Sequence, residues 1–191
     1  MAIFYRGAAI GTYWHANDAR LSGFTPQQPS QQPSLDRLMN HIVYGTVTSP
    51  YVSLTRSYGI ALNYAIELSR TPPSATDPAF VYEIEIADPL PPGLSVLDPL
   101  REVVESFPQP ESDYTYHHNG DNRYLLGVIN PTSMRRYLRQ MVKQPPPGGG
   151  TPSSPLLTLQ LQTIVRALRD AEVLAFGTIP RSALRARYGV W

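Results

Sequence analysis

The spacing of hydrophobic positions changes several times along the chain, and each change marks a predicted element. Ile3-Phe4-Tyr5-Arg6 is a short apolar run closed by Gly7, which predicts a first strand ending in Arg6. Residues 8–24 show little periodicity. They hold Tyr13-Trp14-His15 and Asn17-Asp18-Ala19-Arg20, aromatic and polar groups suited to lining a pocket. From Ser34 the period becomes helical. Leu35, Leu38, Met39, Ile42 and Val43 recur at i, i+3, i+4, i+7 and i+8, with Ser34 as the cap and Gly45 as the stop. His41 is read as lying off that stripe and is expected to be solvated. Pro50 to Thr55 predicts a second strand. Ser57 caps a second helix that carries Ile60, Ala61, Tyr64, Ala65 and Leu68 on one face, and Thr71-Pro72-Pro73 stops it. Residues 80–86 alternate strictly. Phe80, Tyr82, Ile84 and Ile86 point one way and Val81, Glu83 and Glu85 the other, the mark of a half-buried strand.

The second half is less regular. A Pro-rich turn from Asp88 to Pro92 precedes Leu94, Val96 and Leu97, and residues 100–106 suit a short helix. Tyr124 to Ile129 predicts a strand. Asn130-Pro131 then opens a helix with Met134, Tyr137, Leu138 and Met141 on its apolar side. Arg135, Arg136, Arg139 and Lys143 form its basic side, a solvated face in most such helices. Gln144 to Pro155 reads as a linker or surface loop. Leu157, Leu161, Ile164, Val165 and Leu168 make an amphipathic helix that runs straight into Asp170-Ala171-Glu172 and the apolar run Val173 to Phe176. Glu172 therefore stands at the mouth of a predicted core strand. A carboxylate held rigidly there suits catalysis, although a strand can also simply begin with a polar residue.

Composition adds limits. The 191 residues suffice for one domain with a sizeable core, and the stretch after the Gln144–Pro155 loop is too short to build a core of its own. The 20 prolines are roughly twice average usage and gather in clusters, so stiff loops separate ordered elements. Thr25 to Pro33 is low-complexity and is expected to be a loop. A net charge of +1 decides nothing about nucleic acid, and Arg135, Arg136 and Arg139, with Arg181, Arg185 and Arg187, leave room for a nucleic-acid acceptor only weakly. The absence of cysteine removes disulfides, thiolate metal sites and a thiol nucleophile. His117, His118 and Asp121 are spaced too closely for one metal, so no metal is expected. No apolar run approaches the roughly 20 residues of a membrane span, and no signal-peptide pattern is visible. The expected location is the cytoplasm, or a target reached as an effector without a signal peptide of its own.

Three pieces then line up: Phe4-Tyr5-Arg6-Gly7, the strand Tyr51-Val52-Ser53-Leu54-Thr55 with its following helix, and Asp170-Ala171-Glu172-Val173-Leu174-Ala175-Phe176-Gly177-Thr178-Ile179-Pro180. In these residues the chain resembles the cholera-toxin-like, pierisin-like branch of the ADP-ribosyltransferase superfamily, built on an Arg–Ser–Glu core. The resemblance covers residues 1–70, 80–86 and 157–180. It implies an α+β fold, a split β-sandwich with flanking helices, as one catalytic domain over 1–191 with a Pro-rich insertion at about 87–155. It implies NAD as a substrate cleaved at the nicotinamide–ribose bond, no metal, and transfer of ADP-ribose to a protein or nucleic-acid acceptor by a bacterial toxin, effector or defence enzyme. A cognate immunity or antitoxin protein belongs to the same picture. An NAD glycohydrolase, or an inactive module that binds NAD or a partner, are the alternatives.

The resemblance also implies roles. Arg6 would hold a phosphate or ribose of NAD, Ser53 would orient Glu172, and Glu172 would accept from a ribose hydroxyl and stabilise developing positive charge. Glu172 must be ionised for this, and Arg6 is expected to keep its pKa down. Gly7, Thr55, Tyr58, Tyr64, Trp14 and His15 would complete the NAD site. Asp170 would face the acceptor. The chain departs from the family's Ser-Thr-Ser motif, which here is Ser53-Leu54-Thr55, and from the Glu or Gln found two residues before the catalytic Glu, which here is Asp170.

Overall fold

The computed structural model describes residues 2–45, 48–106 and 155–191. The chain is α+β: six strands form one antiparallel sheet, flanked by helices. In chain order the elements are β1 (Ala2–Ala8), the single-turn helices α1 (Tyr13–Ala16) and α2 (Ala19–Ser22), α3 (Leu35–Tyr44), β2 (Tyr51–Thr55), α4 (Tyr58–Glu67) and β3 (Ala79–Ile86). Then follow β4 (Ser95–Leu97), α5 (Pro99–Glu105), α6 (Pro155–Asp170), β5 (Glu172–Phe176), a 3-10 turn (Arg181–Ala183) and β6 (Leu184–Val190). Across the sheet the order is β4-β5-β2-β1-β3-β6.

The sheet is joined unevenly. β1 pairs with β3 along its whole length, from Ala2–Ile86 to Ala8–Phe80. β2 pairs with β5 from Tyr51–Phe176 to Thr55–Glu172. Between these two halves β1 and β2 meet only at Tyr5–Thr55. The seam is where side chains from both halves can approach one another.

Each half has its own cover. α3, α5 and α6 bury Leu38, Met39, Ile42, Val103, Ile164 and Ala167 against Tyr51 and Leu174. α4 lays Ala61 and Ala65 on the β1–β3 half beside Val81. Gly7 permits that approach: a Cβ there would run into the Ala61 carbonyl oxygen and stand 2.9 Å from the Ala65 nitrogen. The opposite face of the sheet is filled by Phe4, Val52, Leu54, Tyr82, Ile84, Val173 and Ala175, closed over by Ala19, Phe24, Ile179 and Ala183.

The caps sit where the sequence puts them. The Ser34 and Ser57 hydroxyls accept from the Arg37 and Ile60 amides, and Gly45 ends α3. Several expectations are corrected. β1 continues two residues past Arg6, because Gly7 and Ala8 extend the ladder with β3. α4 ends at Glu67, and Leu68, expected on its buried face, is 60 % exposed. β4 and β6 are strands that the apolar pattern did not predict. The first is only three residues long, and the second is an edge strand whose apolar positions alternate with Arg185 and Arg187. The expectations for Tyr124–Ile129, the helix after Asn130, the 144–154 loop and His117, His118 and Asp121 lie outside the described residues. Among the described residues no helix is long and apolar enough to cross a membrane.

Candidate active site

Arg6, Ser53 and Glu172 come from three strands and meet at the seam. Glu172 opens β5 directly opposite Thr55 of β2, so its side chain shares a face with Ser53 two residues away. Arg6 enters from β1. Its Nη1 donates to the Ser53 carbonyl oxygen at 2.5 Å, and its guanidinium lies 5.6 Å from the centre of the Phe24 ring. Its Nε is buried and has no hydrogen-bond partner. A buried guanidinium N–H without a partner is costly and rare, and it is a ready donor for an anion. Burial lowers the Arg6 pKa to about 10, only partly offset by the Glu172 carboxylate. Arg6 stays charged at neutral pH.

The fourth member of the cluster was not foreseen. His41 of α3 is expected from its stripe to be solvated, but it is buried. It stands three residues after Leu38, one turn along the helix, and its ring reaches β2. That spacing was the available signal. Its ring meets Tyr51 edge-on at 5.7 Å. Nδ1 lies 2.5 Å from Ser49 Oγ, Nε2 lies 2.7 Å from Ser53 Oγ, and Nε2 is 4.0 Å from Glu172 Oε1. Burial, and after it the Arg6 charge, push the His41 pKa down to about 3, so the ring is neutral and has one N–H.

Donor accounting then orders the protons. The Ser53 hydroxyl lies close enough to Glu172 to favour its ionised form. The neutral His41 ring donates from Nε2 to the Ser53 oxygen. Nδ1 accepts from the Ser49 hydroxyl, whose oxygen accepts from the Tyr51 amide at 3.1 Å. A buried chain of hydrogen bonds thus runs from the backbone of β2 through Ser49 and His41 to the Ser53 hydroxyl, beside the Glu172 carboxylate.

The Glu172 side chain is 10 % exposed, and burial raises its pKa to about 7. The Ser53 hydroxyl and the Arg6 charge pull the other way but do not cancel the desolvation, and the nearby Asp170 adds to the rise. This corrects the expectation that Arg6 would hold the Glu172 pKa down. Glu172 is ionised above neutrality and protonated below it.

The other predicted site residues divide. Trp14 packs edge-on at 4.8 Å against Phe24, the ring beneath Arg6, so it flanks the cluster. His15 does not join it: Nε2 is 3.0 Å from the Pro78 carbonyl oxygen and the ring stacks on Phe80. Tyr58 is also elsewhere. It contacts Tyr5 and Tyr188 at the α4 side of the β1–β3 half. Thr55 is buried beneath Glu172; its hydroxyl donates to the Asp170 carbonyl oxygen at 2.6 Å and accepts from the Ser57 amide. Gly7 serves the α4 contact. Tyr64 donates to Asp170 Oδ2 at 2.7 Å, and Arg169 binds both Asp170 oxygens at 2.7 Å each. Among the described residues no group of three His, Cys, Asp or Glu side chains gathers around a point.

No protein-family model matches the chain, and no curated protein matches its sequence.

Proposed function

We propose that the chain is an NAD-dependent ADP-ribosyltransferase of the split-sandwich kind. The observation that carries this reading is the convergence of Arg6, Ser53 and Glu172 at the β1–β2 seam, with the Arg6 Nε buried and unsatisfied. Two halves of a sheet that meet only at Tyr5–Thr55 support the split-sandwich description. An unpaired guanidinium donor fits a phosphate of NAD.

In this reaction the bond between nicotinamide and ribose C1′ breaks, and its electron pair leaves with neutral nicotinamide. Positive charge grows on the ribose. The Glu172 carboxylate, oriented by Ser53, stabilises that charge and holds a ribose hydroxyl. The acceptor then attacks C1′ and loses a proton. The acceptor is a protein side chain or a nucleic-acid base.

A second reading is an NAD glycohydrolase of the same fold, in which water attacks C1′. It is favoured by Asp170, whose two carboxylate oxygens are both held within the chain and are not free for a cationic acceptor. Incubation with radiolabelled NAD and cell lysate tests both readings. Label on protein or nucleic acid supports transfer, and free ADP-ribose without labelled macromolecule supports hydrolysis. No nicotinamide release under either condition overturns both.

A further inference from the structure

We propose that Asp170 is a positioning residue for Glu172, acting through a clamp on the turn between α6 and β5, and not an acceptor-binding group. The inference rests on the reading of Glu172 as the catalytic carboxylate. The turn is Asp170-Ala171-Glu172, and Ala171 has φ +45°, the left-handed region that glycine normally takes at a helix end. A non-glycine residue there persists only when its surroundings hold it.

The surroundings come from β2 and α4. The Thr55 hydroxyl donates to the Asp170 carbonyl oxygen at 2.6 Å. The Arg56 amide donates to the Ala171 carbonyl oxygen at 3.2 Å. The Tyr64 hydroxyl donates to Asp170 Oδ2 at 2.7 Å, and Arg169 covers both carboxylate oxygens. The backbone and the side chain of Asp170 are therefore both fixed, one residue before the strained Ala171 and two before Glu172. The clamp also ties Glu172 to β2, the strand that supplies Ser53. A carboxylate meant for an incoming cation keeps its oxygens open; here a tyrosine and an arginine of the chain itself occupy them.

The test uses the full chain with Asp170→Asn and Tyr64→Phe. NAD cleavage is measured without any acceptor, with kcat and KM separated, and hydrogen exchange is read at the Arg56 amide. A clamp predicts that Asp170→Asn lowers acceptor-free kcat about tenfold, with Tyr64→Phe lowering it less and KM for NAD nearly unchanged in both. The Arg56 amide exchanges faster in both variants. Asp170→Asn with wild-type acceptor-free cleavage but lost transfer overturns the proposal in favour of acceptor binding, and so does unchanged Arg56 exchange. A wild-type chain that releases no nicotinamide sinks the functional reading instead, and the exchange result alone then decides whether Asp170 holds the turn.

Discussion

Two carboxylates stand two residues apart in this chain and live in opposite surroundings. Asp170 has a tyrosine hydroxyl on one oxygen and a guanidinium across both. Glu172 is buried at the seam, beside the Ser53 hydroxyl and with a neutral His41 4.0 Å away. Their arginines differ in the same sense. Arg169 is exposed, and its carboxylate partner raises its pKa; Arg6 is half-buried with its Nε shut off from solvent, and desolvation lowers its pKa. The contrast separates a satisfied carboxylate, which holds structure, from an under-solvated one, whose charge is costly and available for work.

Removing the costly charge should have the largest effect. Glu172→Gln is expected to lower NAD cleavage by about 10²–10³-fold, measured as nicotinamide release. The same change should make the fold more stable at alkaline pH. The folded pKa is about 7 against an ordinary 4.5, so the wild-type folded state holds this proton more tightly than the unfolded chain. The contribution is full below 4.5, is lost as pH rises to about 7, and amounts to about 3 kcal/mol. Chemical denaturation of both forms at pH 5 and pH 8.5 should show the gap widen strongly toward the higher pH.

Arg6→Lys comes next. A lysine keeps the charge but not the planar fork, so it cannot bond the Ser53 carbonyl and a ligand anion with fixed geometry. Cleavage is expected to fall by about tenfold to 10²-fold, mostly in KM for NAD, in steady-state kinetics. Gly7→Ala tests the support of β1. A methyl group there meets the Ala61 carbonyl oxygen, and thermal melting should show a loss of about 1–3 kcal/mol. The smallest effect belongs to the exposed ion pair. Arg169→Ala should cost less than about 1 kcal/mol in the same melt, because Tyr64 remains on Asp170 and the Arg169 side chain is 62 % exposed.

Much of the seam was legible in the chain. Ser34 and Ser57 announce their helices because a hydroxyl cap acts locally. Glu172 was visible as the polar residue before Val173, Leu174 and Ala175, since strand burial follows from a short apolar run. What escaped depends on contacts distant in sequence. His41 stands one turn after Leu38 but off the centre of the apolar stripe; its burial follows from the packing of α3 on β2. The Glu172 pKa rose because desolvation outweighs one guanidinium, a balance that no motif encodes. β6 alternates Leu184, Ala186, Tyr188 and Val190 with Arg185 and Arg187, and its basic residues masked an edge strand. The distant placement of His15 and Tyr58 was equally hidden, because the loop after β1 and the start of α4 choose their partners only in the folded chain.

We propose that the buried Glu172 carboxylate drives NAD cleavage, and the pH dependence of nicotinamide release by the wild-type chain is the sharpest test of that role. Release should be low in acid, climb through a midpoint near 7 as Glu172 loses its proton, and level off above it, while Glu172→Gln stays near background throughout. Equal release by the two proteins, or none from the wild type at any pH, would contradict it.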